Sequence, residues 1–360
     1  MTKLTNRKIT VAVIFGGVSS EHEVSRLSVT SVLQNLDREH YQVRMVGITK
    51  QGRWMLYTGP VEAISPGDWE RLPEYLTPCV LSPDREHHGL LMLKGDGWEK
   101  LPVDVVFPVL HGRNGEDGTI QGLLELAGIP YVGCGVMASA NCMDKDTAKR
   151  LFTAAGIPNA RWITLTQVDL SRPEQVEKQI LESFGYPAFV KPANAGSSVG
   201  VSRADDLASL KAALETAFAQ DDKVIVEEAI EGAEVECAVI GNSSPAASDV
   251  IGEIVPVRAL YDYEGKYLDG STDLYIPARL GQEQTQTIRR YAVEAYKALG
   301  CQGLARVDFF ALRDGKSVIL NEINTMPGFT NISMYPKLMM ASGFTYGALL
   351  DRLIRLALEG

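Results

Sequence analysis

Cysteine is scarce in this 360-residue chain: Cys79, Cys134, Cys142, Cys237 and Cys301, odd in number and far apart. No Cys-x-x-Cys pair occurs, so neither a disulfide framework nor a zinc ribbon is expected, and a reducing, cytoplasmic setting fits. No stretch approaches the ~18 unbroken apolar residues that crossing a bilayer demands, so no membrane partner is expected. Basic charge is also in deficit. Lys+Arg 35 against Asp+Glu 45 leaves −10, which removes any bulk attraction to nucleic acid, although a basic pocket inside an acidic body is allowed. Two common nucleotide motifs are missing. Gly16-Gly17 lacks the G-x-G-x-x-G spacing, and the second strand ends Ile48-Thr49-Lys50 without an acid to hold a ribose. Gly315-Lys316-Ser317 resembles the end of a P-loop, but Phe310 stands where its first glycine belongs and the segment joins two strands. Internal repeats and low-complexity segments are absent.

What is present is an ordinary folded composition, 45% hydrophobic and 22% charged, long enough for two or three domains of ~150 residues. Lys3, Arg7 and Lys8 before Ile9–Phe15 mimic a targeting segment, but the apolar run is minimal and stops at Gly16-Gly17. It reads as a buried parallel strand. Ser20-Glu21-His22-Glu23 has the form of a capping box, followed by Val29, Val32, Leu33 and Leu36 at helical spacing and a strand at Tyr41–Ile48. Val103–Leu110 is a further buried strand; a polar loop His111–Gly118 and a helix with Ile120, Leu123, Leu124 and Ala127 on one face follow. Residues 58–100 yield no assignment. A second region carries a helix at Asp144–Ala155, strands Trp162–Leu165, Ala188–Lys191 and Val224–Glu227, and helices near 173–184 and 205–218. A third has a strand at Glu234–Ile240, a long irregular stretch Leu260–Ile276 and a helix over 283–299. Strands Leu304–Ala311 and Ser317–Glu322 and a helix near 346–358 complete it. The expected fold mixes α/β and α+β: an N-terminal open parallel-sheet α/β domain (1–140), a central module (141–230) and a C-terminal module (231–360).

Two segments carry chemistry. Lys191 closes an apolar strand and Ala193–Gly200 follows as a loop of small residues with hydroxyls at Ser197 and Ser198. Glycines admit close approach of backbone N–H groups to phosphate oxygens, and a strand-end lysine adds fixed charge. Near the C-terminus, Arg306 and Asp308 alternate on one strand face, and Glu322 and Asn324 do so on or just past the next strand. Asp314-Gly315 between them is a hairpin signal. Asp308 lies six residues before Asp314 and Glu322 seven after Gly315, so the acids are cross-strand neighbours to within one residue of register. Two carboxylates and an amide oxygen suit Mg²⁺ holding substrate phosphates. Pairing of Arg306 with Asp308 or Glu322 is the structural alternative. Thr325–Ser333, with Pro327 and Gly328 inside it, cannot be a central strand, and its N–H groups are left free to bind.

With these residues the chain resembles the ATP-grasp carboxylate–amine ligases. Gly16–Ser25, His111–Gly118 and Met143-Asp144-Lys145 resemble the D-alanine–D-alanine ligases in particular, over essentially the whole length. The resemblance implies a two-part ATP-grasp fold after the N-terminal domain, ATP as co-substrate with two Mg²⁺ (or Mn²⁺), and two D-alanine molecules as substrates. It also implies a homodimer. By resemblance, Lys145 and Lys191 contact ATP phosphates and the loop of Ser197 and Ser198 closes over them. Glu227, Glu228 and Ile230 meet adenine, Glu234 the ribose, and Asp308, Glu322 and Asn324 the metal. Glu21 takes the ammonium of the first D-alanine, while Ser333 and the neighbouring N–H of Met334 take the carboxylate of the second. Arg306 and the Gly328 N–H face the oxygen that gains charge. His111 and the group Glu21–Ser197–Tyr267 are alternatives for positioning or proton relay.

Tyr261, Tyr263, Lys266 and Tyr267 among Gly265 and Gly270 suggest a lid. In this family Lys266-Tyr267 goes with ATP and substrate contact and with an amine, not D-lactate, as second substrate. An ATP-grasp ligase for another pair, and a non-catalytic nucleotide-binding regulator, are the competing readings.

Overall fold

The computed structural model describes residues 7–256 and 272–359. It opens with strand β1 (Ile9–Gly16), helix α1 (His22–Asn35) and strand β2 (Tyr41–Ile48), parallel to β1 from Ile9↔Tyr41 to Gly16↔Ile48. The apolar run of β1 is continuous because both faces are covered. Val11, Val13 and Phe15 enter one core while Ala12 and Ile14 enter another. The capping box expected at Ser20–Glu23 does not form. Glu21 is the N-cap residue without a side-chain cap bond, its own N–H donating to Ser19 Oγ at 3.1 Å. Glu23 is instead paired with Lys50, and Glu21 is engaged by Ser197.

Strand β3 (Trp54–Tyr57) comes next, and the unassigned stretch 58–100 supplies β4 (Leu76–Leu81), β5 (Gly89–Lys94) and most of β6 (Gly97–Pro102), before β7 (Val105–Pro108) returns beside β1. The sheet runs β6-β5-β4-β3-β2-β1-β7. The expected parallel core is β2-β1-β7, and the sheet continues past β2 through antiparallel pairings.

Helices α2 (Thr119–Ala127), α3 (Val136–Met143) and α4 (Lys145–Ala154) lead out of this domain. Asp144 caps α4 by accepting the Thr147 N–H at 2.9 Å. Then come β8 (Trp162–Thr166), α5 (Pro173–Ser183), β9 (Ala188–Pro192), β10 (Ser202–Ala204), α6 (Leu207–Phe218) and β11 (Lys223–Glu228). They build an antiparallel sheet of order β10-β9-β11-β8, its apolar side chains sharing a core with α5 and α6.

The remaining described elements are β12 (Gly232–Ile240), β13 (Ala246–Ala247), β14 (Gly252–Pro256), β15 (Thr272–Tyr275), α7 (Gln282–Ala298), β16 (Leu304–Leu312), β17 (Val318–Asn324), α8 (Met334–Ala341) and α9 (Tyr346–Leu358). Their sheet has the order β15-β14-β12-β16-β17, and α7 covers one face through Ile288, Ala292 and Tyr296. Helix α9 crosses back. Leu349, Leu350, Leu353 and Ile354 share the core of Val11, Val29 and Leu33, and Tyr41 donates to Asp351 at 2.6 Å. Among the described residues no helix is long and apolar enough to cross a membrane.

Candidate active site

The three regions meet around a cavity of about 850 Å³. The first region contributes Glu21 and His111, the second Lys145, Lys191, Ser197, Ser198, Glu227, Glu228 and Ile230, the third Glu234, Arg306, Glu322, Asn324, Gly328, Ser333 and Met334. Asp308 is buried, and its bonded neighbours Arg306 and Asn324 form the wall. Lys266 and Tyr267, with the part of the expected lid stretch Leu260–Ile276 that precedes Thr272, lie outside the described residues; its end is not irregular but forms β15 (Thr272–Tyr275).

On the β16–β17 pair, Arg306 faces Asn324 and Asp308 faces Glu322, after which Phe309 faces Leu320. Asn321 is therefore the extra residue of a β-bulge. It accounts for the one-residue offset in the sequence count. Arg306 grips Asp308 with two bonds, Nε to Oδ1 at 2.8 Å and Nη2 to Oδ2 at 2.7 Å. Its Nε also lies 3.0 Å from Glu236 Oε2. Asn324 donates to Asp308 at 3.0 Å, and Lys145 Nζ stands 3.9 Å from Glu322. The structural alternative for Arg306 is thus realised with Asp308, and it coexists with a set of hard oxygen donors. Glu236, which the sequence reading missed, sits across from Asp308 on β12. Its signal was there: Glu234 and Glu236 alternate on an otherwise apolar strand.

The lysines are organised by a buried acid. Glu227 on β11 pairs with Lys191 on β9 and with Lys149 on α4, the latter at 3.0 Å. Burial alone would raise the Glu227 carboxyl, but the two ammonium groups hold it down at about 2. For Lys191, burial would lower the ammonium and Glu227 more than reverses this. The Glu227 carboxylate is committed to lysines, and that of Glu228 to Arg161, whose Nε donates at 2.8 Å. Lys149 was invisible in the sequence, being one of several lysines on a helix.

The small-residue loop stands closed. Ser197 donates to the Glu21 carboxylate, and Lys145 Nζ donates to the Ala195 carbonyl at 2.7 Å. Ser197 and Ser198 hold φ of 49° and 58°, left-handed values that non-glycine residues seldom adopt. A Cβ on Gly196 would come within 2.8 Å of Glu21 Oε2, so a larger residue there would push this carboxylate aside.

His111 is buried with both ring nitrogens engaged, by the Met326 carbonyl at 2.9 Å and Ser28 Oγ at 3.0 Å; burial pushes its pKa below the usual histidine range. Beside it Glu116, unassigned in the sequence reading, accepts the N–H of Gly112 at 2.7 Å and of Met326 at 3.2 Å. Burial, reinforced by the charge of Glu21, pushes its pKa up to about 8. Ser333 stands at the N-cap position of α8 without a side-chain cap bond, and its Oγ accepts the Thr330 N–H at 3.0 Å.

A cavity that brings two lysines, a Gly-Ser-Ser loop, hard oxygen donors and the Glu21 carboxylate of the first region together can bind a nucleoside triphosphate beside a small amino-bearing acid. The comparisons agree. Family models described as D-ala D-ala ligase N-terminus and D-ala D-ala ligase C-terminus match residues 10–134 and 151–355. A D-alanine–D-alanine ligase of Acetivibrio thermocellus is 52% identical over 97% of this chain and 96% of its own. One of Caldicellulosiruptor bescii is 50% identical over 98% and 96%. Among solved structures, the VanG D-Ala:D-Ser ligase from Enterococcus faecalis superposes with a TM-score of 0.88 at 42% identity, over 98% of this chain and 100% of its own. The D-alanine-D-alanine ligase from Coxiella burnetii gives 0.85 at 37% identity, over 98% and 96%.

Proposed function

The chain belongs to the D-alanine–D-alanine ligase family, and on that premise we propose how its cavity carries out the reaction. The activity is the ATP-dependent joining of two D-alanine molecules to D-alanyl-D-alanine, a cell-wall precursor, with release of ADP and phosphate. A carboxylate resists attack by an amine because its negative charge repels the nucleophile. Transfer of the γ-phosphoryl group to it breaks the γ-phosphorus–oxygen bond to ADP and leaves an acyl phosphate, from which phosphate departs when the second amine attacks.

In this reading Lys145 and Lys191 neutralise the triphosphate, and Glu227 keeps Lys191 charged and placed. The backbone from Glu227 to Ile230 meets the adenine, Glu234 the ribose. Asp308, Glu322 and Asn324 would hold two Mg²⁺ ions, a donor set of the hard oxygens this ion prefers. The metal supplies charge neutralisation on the phosphates when bound. Glu21, fixed by Ser197, takes the first ammonium. Ser333 and the Met334 N–H take the second carboxylate. Arg306 and the Gly328 N–H stabilise the tetrahedral oxyanion, each such donor contributing about 10²–10³ in rate. His111, neutral and doubly bonded, positions groups instead of relaying a proton, which leaves the Glu21–Ser197–Tyr267 group as the relay. Tyr267 selects an amine over D-lactate. A homodimer in the cytoplasm completes the proposal.

The observation that carries it is the meeting of Glu21, Lys145, Lys191 and Glu322 around one cavity. Incubation with ATP, Mg²⁺ and D-alanine tests it. One dipeptide and one phosphate per ADP is the expected result. Turnover only with other substrates, or ATP binding without turnover, refutes it.

A further inference from the structure

The loop that carries Gly328 belongs to the C-terminal module, yet it is held by the N-terminal domain. Gly328 stands between Met326 and Phe329, and both flanks are bonded to residues from far earlier in the chain. The Met326 N–H donates to Glu116 Oε1 at 3.2 Å. The Met326 carbonyl meets His111 Nδ1 at 2.9 Å. The Phe329 N–H donates to Ser28 Oγ at 3.2 Å, and Ser28 Oγ lies 3.0 Å from His111 Nε2.

The hydrogens shared by His111 and Ser28 can be assigned. A carbonyl only accepts, so His111 Nδ1 carries the hydrogen. Nε2 is then an acceptor, and the Ser28 hydroxyl must donate to it while its lone pair receives the Phe329 N–H. Glu116 spans the two pieces, since its other oxygen accepts the Gly112 N–H at 2.7 Å. The Phe329 ring is itself buried, edge-on to Phe107 of β7 at 5.8 Å. The charges that act on Glu116 are those of Glu21 and Arg306, which oppose each other.

We infer that Glu116 and Ser28 are positioning residues that set the Gly328 amide against the developing oxyanion. Neither touches substrate in this account. Glu116 fixes the peptide before Met326, His111 the one before Pro327 and Ser28 the one after Gly328, with Ser28 bonded in turn to His111. Seating of the N-terminal domain, which also brings Glu21 to the first substrate, thereby places the oxyanion donor in the same movement. An acyl phosphate is then formed only where its attack is also supported. This inference rests on the ligase reading given above.

The test uses the full chain and two readouts. Amide hydrogen exchange over 325–330 needs no activity, and we expect it about tenfold or more faster in Glu116→Ala and Ser28→Ala than in the wild type. In steady state, kcat should fall about 30–100-fold in Glu116→Ala, because misplacement of a reacting group by an ångström costs about 10². The KM for ATP should stay within about twofold, since the phosphates are gripped from the central module. Glu116→Gln, which keeps one acceptor oxygen, should fall between. It carries the test should the alanine variant fail to fold. Unchanged exchange with kcat within about threefold overturns the inference. So does a KM for ATP that rises as far as kcat falls, which marks a general prop of the site. A wild type that makes no dipeptide refutes the ligase reading separately, while the exchange comparison still decides whether Glu116 and Ser28 hold the loop.

Discussion

Glu227→Gln isolates the electrostatic centre of the proposed phosphate side. Glu227 is 4% exposed and lies between Lys149, 2% exposed, and Lys191. The substitution preserves shape and removes one charge, stranding two buried ammonium groups. A carboxyl held at about 2 instead of 4.5 corresponds to about 3 kcal/mol at neutral pH. Breaking a buried pair by removing one partner typically costs about 3–5 kcal/mol, in agreement. At about 2–4 °C per kcal/mol for a domain-sized unit, the melting midpoint at pH 7 should drop by about 6–12 °C. The folded value lies below the unfolded one, so the stabilisation is present above pH ~4.5 and is lost as pH falls toward ~2. The gap between wild type and variant should therefore be full at pH 7 and less than half of that near pH 3. Saturating ATP should rescue the variant more than the wild type, because phosphate replaces the missing charge beside Lys191. Calorimetry at both pH values decides. A variant melting within about 1 °C of wild type at pH 7 would refute the reasoning.

Glu322→Gln should abolish turnover while the far-ultraviolet spectrum and melting midpoint hold; near-normal dipeptide formation would remove Glu322 from the metal set. Arg306→Lys loses the two-bond grip on Asp308, which an ammonium cannot reproduce, so kcat should fall about 10²-fold with the KM for ATP little changed. Equal turnover in a steady-state assay would show that the guanidinium contributes no more than charge. With D-lactate offered against D-alanine near pH 7, mass spectrometry should find the dipeptide as the main product. A predominant ester would end the argument from Tyr267.

The legible parts of the sequence were those whose signals are local. Arg306, Asp308, Glu322 and Asn324 were readable because strand alternation and the Asp314-Gly315 turn fix which faces meet. The residual uncertainty of one residue was the bulge at Asn321. The Lys191 loop was readable from small residues after an apolar strand. Strands β4 to β6 were not, since Val80, Leu93 and Trp98 on them are exposed and give no alternation that distinguishes in from out. Helix α1 lost its expected cap because its N-cap falls at Glu21 and Glu23 pairs with Lys50, so a contact with another element outbid a local rule. Helix α8 was missed because Pro336 stands in its first turn, where proline is tolerated but reads as a break. Glu116, Lys149 and Ser28 were illegible for a common reason. Each is defined by a partner on another element, as when His111 finds Met326 at a separation of 215 residues, and no window of sequence contains both.

Isotope transfer reaches the chemistry itself. With D-alanine labelled by ¹⁸O in its carboxylate, phosphorylation of that oxygen requires one ¹⁸O in each phosphate released during dipeptide synthesis. Mass spectrometry of the phosphate should show one label per molecule at full enrichment. Unlabelled phosphate, formed at the same rate as the dipeptide, would mean that no acyl phosphate lies on the path and that the cavity has been misread.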